Sequence, residues 1–286
     1  MFNIGIIGKG FVGQAVAAGF SSNSGYDQAK VRIFDKDPAK SLNTLDETVN
    51  KSDVIFISVP TPAKSDGSID LSIIEEVLKD CSKLSKNKKT IFLVRSTVIP
   101  GTTENLQKKF PNLKIVFNPE FLTERSAYFD FINQSRVILG GDPSNTQIVK
   151  KLYQERFGSY LPVIETNYST AELIKYMNNL FFATKVSFLN EMFLVAKKTG
   201  VDWQTAIQGF ILDGRIGHSH LQVPGPDGKF GFGGSCFPKD IQAMISFCDE
   251  LGINSNVIDG AWKTNLEVRP EKDWENLKGR AVSEND

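Results

Sequence analysis

The sequence predicts an α/β fold: a doubly wound parallel sheet followed by an all-α domain built on one long helix. Three observations carry that expectation. Short β-branched runs alternate with amphipathic helical stretches through the first half, a glycine-rich turn follows the first run, and strand-like patterning gives way to helical periodicity near Ser169. Candidate strands span residues 2–7, 31–34, 54–59, 90–95, 114–117, 136–139 and 162–165, with helices at 12–20, 71–84, 102–110 and 146–157 between them. Continuous apolar strands separated by helices imply a parallel sheet covered on both faces. This domain is placed at residues 1–166.

The second domain is placed at 167–268. Ser169-Thr170-Ala171-Glu172 fits a capping box, and the helix it opens is expected to run over 169–198, with Gly200 as its stop. That helix is apolar on nearly every side, through Leu173, Met177, Phe181, Val186, Leu189 and Phe193. It should therefore be buried all round, between domains or against a second subunit, and a homodimer built on it is expected. A helix over 202–212 starts at Asp202, a Gly/Pro-rich loop covers 213–238, and further helices are expected at 240–251 and 256–267. Residues 269–286 read as a polar tail that frays.

Composition narrows the function. Lys plus Arg and Asp plus Glu both number 33, so no charge excess points to nucleic acid or an anionic membrane. The apolar runs are strand-length and too short to span a bilayer, and no signal-peptide pattern opens the sequence, which makes a cytoplasmic location the expectation. Three cysteines without C-x-x-C spacing argue against a disulfide framework or a zinc site. Cys81 and Cys248 lie in helix-like apolar settings and read as core filler. His218 and His220, without nearby acidic or cysteine ligands, do not amount to a metal site and suit a loop lining a sugar or nucleotide pocket.

Gly8-Lys9-Gly10-Phe11-Val12-Gly13 is a G-x-G-x-x-G sequence placed between a strand and a helix. In that setting Gly8 permits the tight turn, Gly10 lets a pyrophosphate approach the backbone, and Gly13 lets helix and strand pack closely. Asp35, at the end of the second strand, suits the adenosine ribose hydroxyls and would repel a 2′-phosphate, favouring NAD over NADP in a Rossmann-type domain. The other constellation is Gly231-Phe232-Gly233-Gly234-Ser235-Cys236-Phe237-Pro238-Lys239-Asp240. It sets Cys236 just before a helix start and three residues from Lys239, both of which favour thiolate. A lone cysteine is ordinarily a small buried hydrophobe; the glycines, lysine and aspartate around this one point to a nucleophile. Lys175 and Asn179, four residues apart, present a cation and an amide from one helix face, a pairing suited to negative charge on oxygen. Glu120 and Glu124 are spaced likewise after an Asn-Pro turn and, unaided, suit a solvated helix start equally well.

Together these stretches, with Val59-Pro60-Thr61-Pro62, Ser96-Thr97-Val98, Pro100-Gly101-Thr102, Asn118-Pro119-Glu120-Phe121-Leu122, Ala171-Glu172 and Arg215-Ile216-Gly217, resemble the nucleotide-sugar dehydrogenases typified by UDP-glucose and GDP-mannose 6-dehydrogenases. The resemblance implies a four-electron oxidation of a sugar C6 alcohol to a carboxylate with NAD. In it Cys236 is the nucleophile, Lys175 and Asn179 face developing oxyanions, and Asp240 shares in proton transfer. Glu120 directs the hydrolytic water, Thr97 helps position water, and Glu124 lies near the nicotinamide. By the same resemblance, Pro60, Thr61, Thr97 and Lys239 join Gly8, Gly10, Phe11, Val12, Gly13, Asp35 and Glu124 around the cofactor. Phe121, Leu122, Lys175, Asn179, Arg215, Phe230 and Gly233 face the nucleotide-sugar substrate, Arg215 from across a dimer.

Two departures accompany the resemblance. The sequence stops about where that family's third, nucleotide-sugar-binding domain begins, so a separate polypeptide supplying that domain is one expectation. Residues 223–228 are an insertion expected to cover part of the pocket. Two competing readings remain: a two-electron hydroxyacid dehydrogenase of the related two-domain type, which would need no thiol, and an NAD-binding remnant without turnover.

Overall fold

The computed structural model describes residues 2–284, which fall into two units: 2–61 with 71–175, and 62–70 with 176–284.

The first unit is built on seven strands: β1 (Phe2–Ile7), β2 (Ala29–Phe34), β3 (Val54–Ile57), β4 (Ile91–Val94), β5 (Lys114–Phe117), β6 (Val137–Gly140) and β7 (Val163–Thr166). Their order is β2-β1-β3-β4-β5-β6-β7. Strands β1 to β5 are parallel, with Ile4 opposite both Val31 and Val54. The all-parallel expectation fails at one edge, where β6 pairs antiparallel with β5 through Phe117 and Gly140, and β7 runs parallel to β6. The link between β5 and β6 spends its length on an irregular loop, a 3-10 turn at Glu124–Ser126 and the six-residue α5 (Ala127–Ile132). The six-residue α5 does not return the chain to the opposite end of the sheet, so β6 starts from the end at which β5 finished.

Helices cover both faces: α1 (Phe11–Gly19), α2 (Leu45–Asn50), α3 (Ser72–Leu84), α4 (Thr102–Lys109), α5 and α6 (Pro143–Phe157). Each face has its own apolar core. One gathers Ile4, Ile6, Phe20, Phe56, Phe131 and Tyr153; the other Ile55, Ile57, Leu78, Phe92, Ile115 and Phe117. Alternate strand residues feed opposite cores, which is why these strands read as continuous apolar runs. In α3, Ile74, Leu78 and Cys81 are buried at spacings of four and three, one turn apart each time. The sequence did not signal α2, which begins with a capping box of its own between Thr44 and Glu47.

Helix α7 (Tyr168–Thr199) starts earlier than its expected cap. Asn167 Oδ1 accepts from the Thr170 N–H at 2.8 Å, so Asn167 takes the capping role assigned to Ser169. Glu172 does not reach back either. It is fully buried and accepts from the N–H groups of Gly101 and Thr103, both at 2.7 Å, satisfying the start of α4 instead. Nor does a single chain bury α7 all round: Met177 and Phe181 are 61% and 64% exposed, with Phe188, Met192 and Val195 also open.

The second unit contains the later part of α7 with α8 (Trp203–Ile211), α9 (Phe237–Glu250) and α10 (Asn256–Val268). Asp202 caps α8, accepting from Gln204 and Thr205. The described residues after α10, 269–284, are packed into the unit, and 285–286 of the expected tail lie outside the described residues. Arg269 is 2% exposed and bonds Asp227, Asp273 and the Phe230 carbonyl, while Trp274 packs on Trp262 with ring centroids 5.2 Å apart. The segment 62–70 belongs here too: Ala63 bridges Ile69 and Val282, and Ser283 Oγ donates to Asp70 at 2.6 Å. The stretch expected to fray is thus held by a buried cation and a buried indole. Among the described residues, no helix is long and apolar enough to cross a membrane.

Candidate active site

In the first unit the glycine turn joins β1 to α1 at the point where the strand order reverses about β1. Gly8 has φ +91°, and a Cβ there would lie 2.5 Å from the Ser58 carbonyl oxygen. At Gly13 a Cβ would lie 2.0 Å from the Gly8 oxygen, whereas at Gly10 it would meet nothing within 4 Å. Two glycines are therefore demanded by the protein itself, and the open one suits close approach of a ligand. Phe11 and Val12 form the first turn of α1, whose leading N–H groups have no acceptor within the helix, as a phosphate-binding end requires. Asp35 stands at the end of β2, where its Oδ2 accepts from Lys9 N–H at 2.6 Å and its Oδ1 from Asp37 N–H at 2.8 Å. The carboxylate is thus oriented by backbone next to the glycine turn, as a ribose-binding acid requires. These residues fit a dinucleotide.

Thr61 is buried and donates to the Thr97 carbonyl at 2.8 Å, tying the ends of β3 and β4 together; Pro60 beside it is exposed. Beyond β5, Glu120 and Lys175 form a buried ion pair at 2.9 Å, and Glu120 Oε2 accepts from Leu122 N–H at 2.7 Å. Burial pushes the Glu120 carboxyl up, but the Lys175 charge, the Leu122 bond and Arg95 outweigh it and hold the group below its usual range. The Lys175 ammonium also lies 5.4 Å from the Phe121 ring centre. Glu124 is exposed in its 3-10 turn.

Sequence reading missed the support beneath Glu120. Arg95, 4% exposed at the end of β4, donates to Asn118 Oδ1 at 2.7 Å and Tyr153 Oη at 3.0 Å, and Asn118 donates to the Ile138 carbonyl at 3.0 Å. An arginine closing the run Ile91-Phe92-Leu93-Val94 was the available signal, since a charge there must find partners inside.

In the second unit Cys236 occupies the N-cap position of α9, with Pro238 in the first turn. Its carbonyl accepts from Asp240 N–H at 3.0 Å, and Ser235 Oγ lies 3.9 Å from Sγ. Asn179 donates to Asp240 Oδ2 at 2.7 Å, and the Lys239 ammonium pairs with Asp240 Oδ1. All three side chains are buried. Four residues expected to act together are therefore gathered at one helix start, with the Lys239 charge directed to Asp240. Asn190 and Asn265 hold the glycine-rich approach to Cys236, accepting from Gly231 N–H at 3.1 Å and Phe232 N–H at 2.7 Å. At Gly233 a Cβ would lie 2.4 Å from the Arg269 guanidinium, so the glycine is required by that packing. Phe230 is partly exposed against Phe193, and the insertion 223–228 is tied down by the Asp227–Arg269 pair at 2.7 Å. Arg215 is 90% exposed and pairs with the neighbouring Asp213. Among the described residues no group of His, Cys, Asp and Glu could hold a metal, and His220 stacks on Phe182 at 4.2 Å.

Residues 40–157 match the model of the UDP-glucose/GDP-mannose dehydrogenase family NAD binding domain, and 169–267 match that family's central domain. The chain belongs to this family. The glycine turn precedes the first matched stretch, so its assignment rests on the geometry above. A UDP-glucose 6-dehydrogenase of Rickettsia bellii is 35% identical over 246 residues, covering 84% of this chain and 55% of the relative. The chain thus spans about half the length of the curated relatives it matches. A UDP-glucose dehydrogenase structure from Pyrobaculum islandicum superposes with TM-score 0.80 at 29% identity, over 93% of this chain and 68% of the other. A Mycobacterium tuberculosis 3-hydroxyisobutyrate dehydrogenase shares the fold, with TM-score 0.73 at 18% identity over 95% of both chains.

Proposed function

We propose that this protein carries the NAD-dependent oxidation of the C6 primary alcohol of a nucleotide sugar, UDP-glucose first among them, to the uronate through a covalent adduct on Cys236. The observation that carries the reading is Cys236 at the start of α9, one turn before an Asp240 that Asn179 and Lys239 hold in place. A simple alcohol oxidation needs no such thiol, and that weighs against the two-electron hydroxyacid reaction.

The glycine turn and Asp35 would hold the dinucleotide, with Pro60, Thr61 and Thr97 beside it. When bound, NAD supplies the hydride acceptor, two per sugar. The alcohol loses a hydride and a proton to become an aldehyde, and the Cys236 sulfur adds to its carbonyl carbon. Loss of a second hydride leaves a thioester, and water cleaves it to the carboxylate and free thiol. The sum is one alcohol, one water and two NAD⁺ giving one carboxylate, two NADH and three protons. Lys175 and Asn179 offer a cation and an amide for charge on the substrate oxygen, Asp240 exchanges the proton, and Glu120, kept ionised, directs the water.

The exposed apolar stripe of α7 supports a homodimer built on that helix. The relatives' greater length supports a further domain holding the nucleotide, continuous with these residues or on a separate polypeptide.

UDP- and GDP-sugars offered with NAD⁺, with NADH counted against sugar consumed, test the reading. Two NADH per sugar, and no acid product from Cys236→Ser, are expected. One NADH per sugar with an indifferent mutant would overturn it in favour of the hydroxyacid reaction, and NAD⁺ binding without NADH in favour of a remnant.

A further inference from the structure

Lys185 lies on α7, one and a half turns beyond Asn179, and none of the roles above uses it. Its ammonium donates to three backbone carbonyls of one loop, Ile216 at 3.0 Å, Gly217 at 3.0 Å and Ser219 at 2.8 Å. An ammonium has three protons, and each of these bonds can take one. The next residue, His220, is held at φ 60°, a left-handed conformation that only a few per cent of non-glycine residues adopt. Held this way, its ring stacks on Phe182 at 4.2 Å and meets Phe237 at 5.4 Å. Phe237 directly follows Cys236 and is the first residue of α9. Burial, and then the Lys185 charge, keep His220 below its ordinary pKa, so an uncharged ring stacks there at neutral pH.

We propose that Lys185 and His220 are positioning residues for the Cys236 thiol: Lys185 fixes the 216–219 loop, and His220 carries that constraint through its ring to Phe237 and the first turn of the cysteine helix. The role rests on Cys236 being the nucleophile of the reaction proposed above. No neutral side chain carries three N–H donors on one atom, and a planar guanidinium does not match three converging acceptors as an ammonium does. The strained His220 backbone is the second mark of a conformation selected for what the ring touches.

The thiols supply the test, because Cys248 on the same helix and Cys81 in the other unit serve as controls. Burial pushes Cys81 up to about 12, so it reports only gross unfolding. Iodoacetamide labelling of the full chain at neutral pH, followed peptide by peptide, gives three rates. Lys185→Met is expected to speed Cys236 labelling by about tenfold while Cys248 and Cys81 stay within about twofold. Lys185→Arg should fall between the two. His220→Ala should behave like Lys185→Met, and His220→Phe, which keeps a ring in the stack, like the wild type. An unchanged Cys236 rate in Lys185→Met, or a parallel rise at Cys248, would overturn the assignment. Absence of nucleotide-sugar oxidation by the wild type would defeat the reaction and leave this comparison readable.

Discussion

Gly10 and Gly13 share one turn, yet an added methyl group has opposite consequences at the two. At Gly13 it strikes the Gly8 carbonyl, so Gly13→Ala should cost about 3 kcal/mol of stability and lose NAD binding as well. At Gly10 it meets no protein atom, so Gly10→Ala should unfold like the wild type and fail only in NAD titrations. Urea melts paired with calorimetric NAD titration separate the two outcomes. Two buried glutamates also diverge. Glu120 has a folded pKa below its ordinary value, so the stability it contributes is present above that value and lost as pH falls through the folded pKa. Glu172 is raised, chiefly by burial, so its contribution is present at low pH and lost as pH rises through the folded pKa. The stability gap between wild type and Glu120→Gln should therefore shrink towards acid, and the gap for Glu172→Gln should shrink in the other direction. Urea melts across a pH series read both slopes. Lys175→Met, which leaves Glu120 buried without its cation, should cost about 3–5 kcal/mol.

At the scale of elements, the two candidate caps of α7 can be told apart. Asn167→Ala should cost about 1 kcal/mol, because it removes the side chain that accepts from Thr170 N–H, while Ser169→Ala should stay within about 0.5 kcal/mol. For the proposed dimer, Phe181→Glu should shift the mass seen by light scattering towards one chain. The strands were legible because alternate residues feed two separate cores and force an apolar run. What was not legible follows from interactions between distant residues. The Ser169–Glu172 spacing matched a capping box, but Glu172 is drawn away by donors 71 and 69 positions earlier in the chain. The reversed direction of β6 depends on the end of the sheet from which the chain re-enters, and periodicity carries no such information. The helix start at Cys236 was legible from the glycine run and Pro238, and the one-turn spacing of Lys175 and Asn179 from helical periodicity, whereas Asp240 entered through the family resemblance. Arg95 and Lys185 were not legible, since their partners are backbone or neutral groups reached only after folding.

For the whole molecule, the residues after α10 belong to the structure of the second unit. Trp274→Ala should cost about 3–5 kcal/mol, read as a lowered midpoint in circular-dichroism melts; an unchanged midpoint would mean that the burial of Trp274 and Arg269 adds nothing. The second unit also draws on residues 62–70, inside a chain that otherwise builds the sheet. Asp70 and its partner Ser283 are 213 positions apart. During translation that early stretch leaves the ribosome long before the residues it will bond, so the second unit closes only after Ser283 has been made. A fragment beginning at residue 176 would be made without that piece, however well its helices formed. Supplying 62–70 as a separate peptide is the natural remedy.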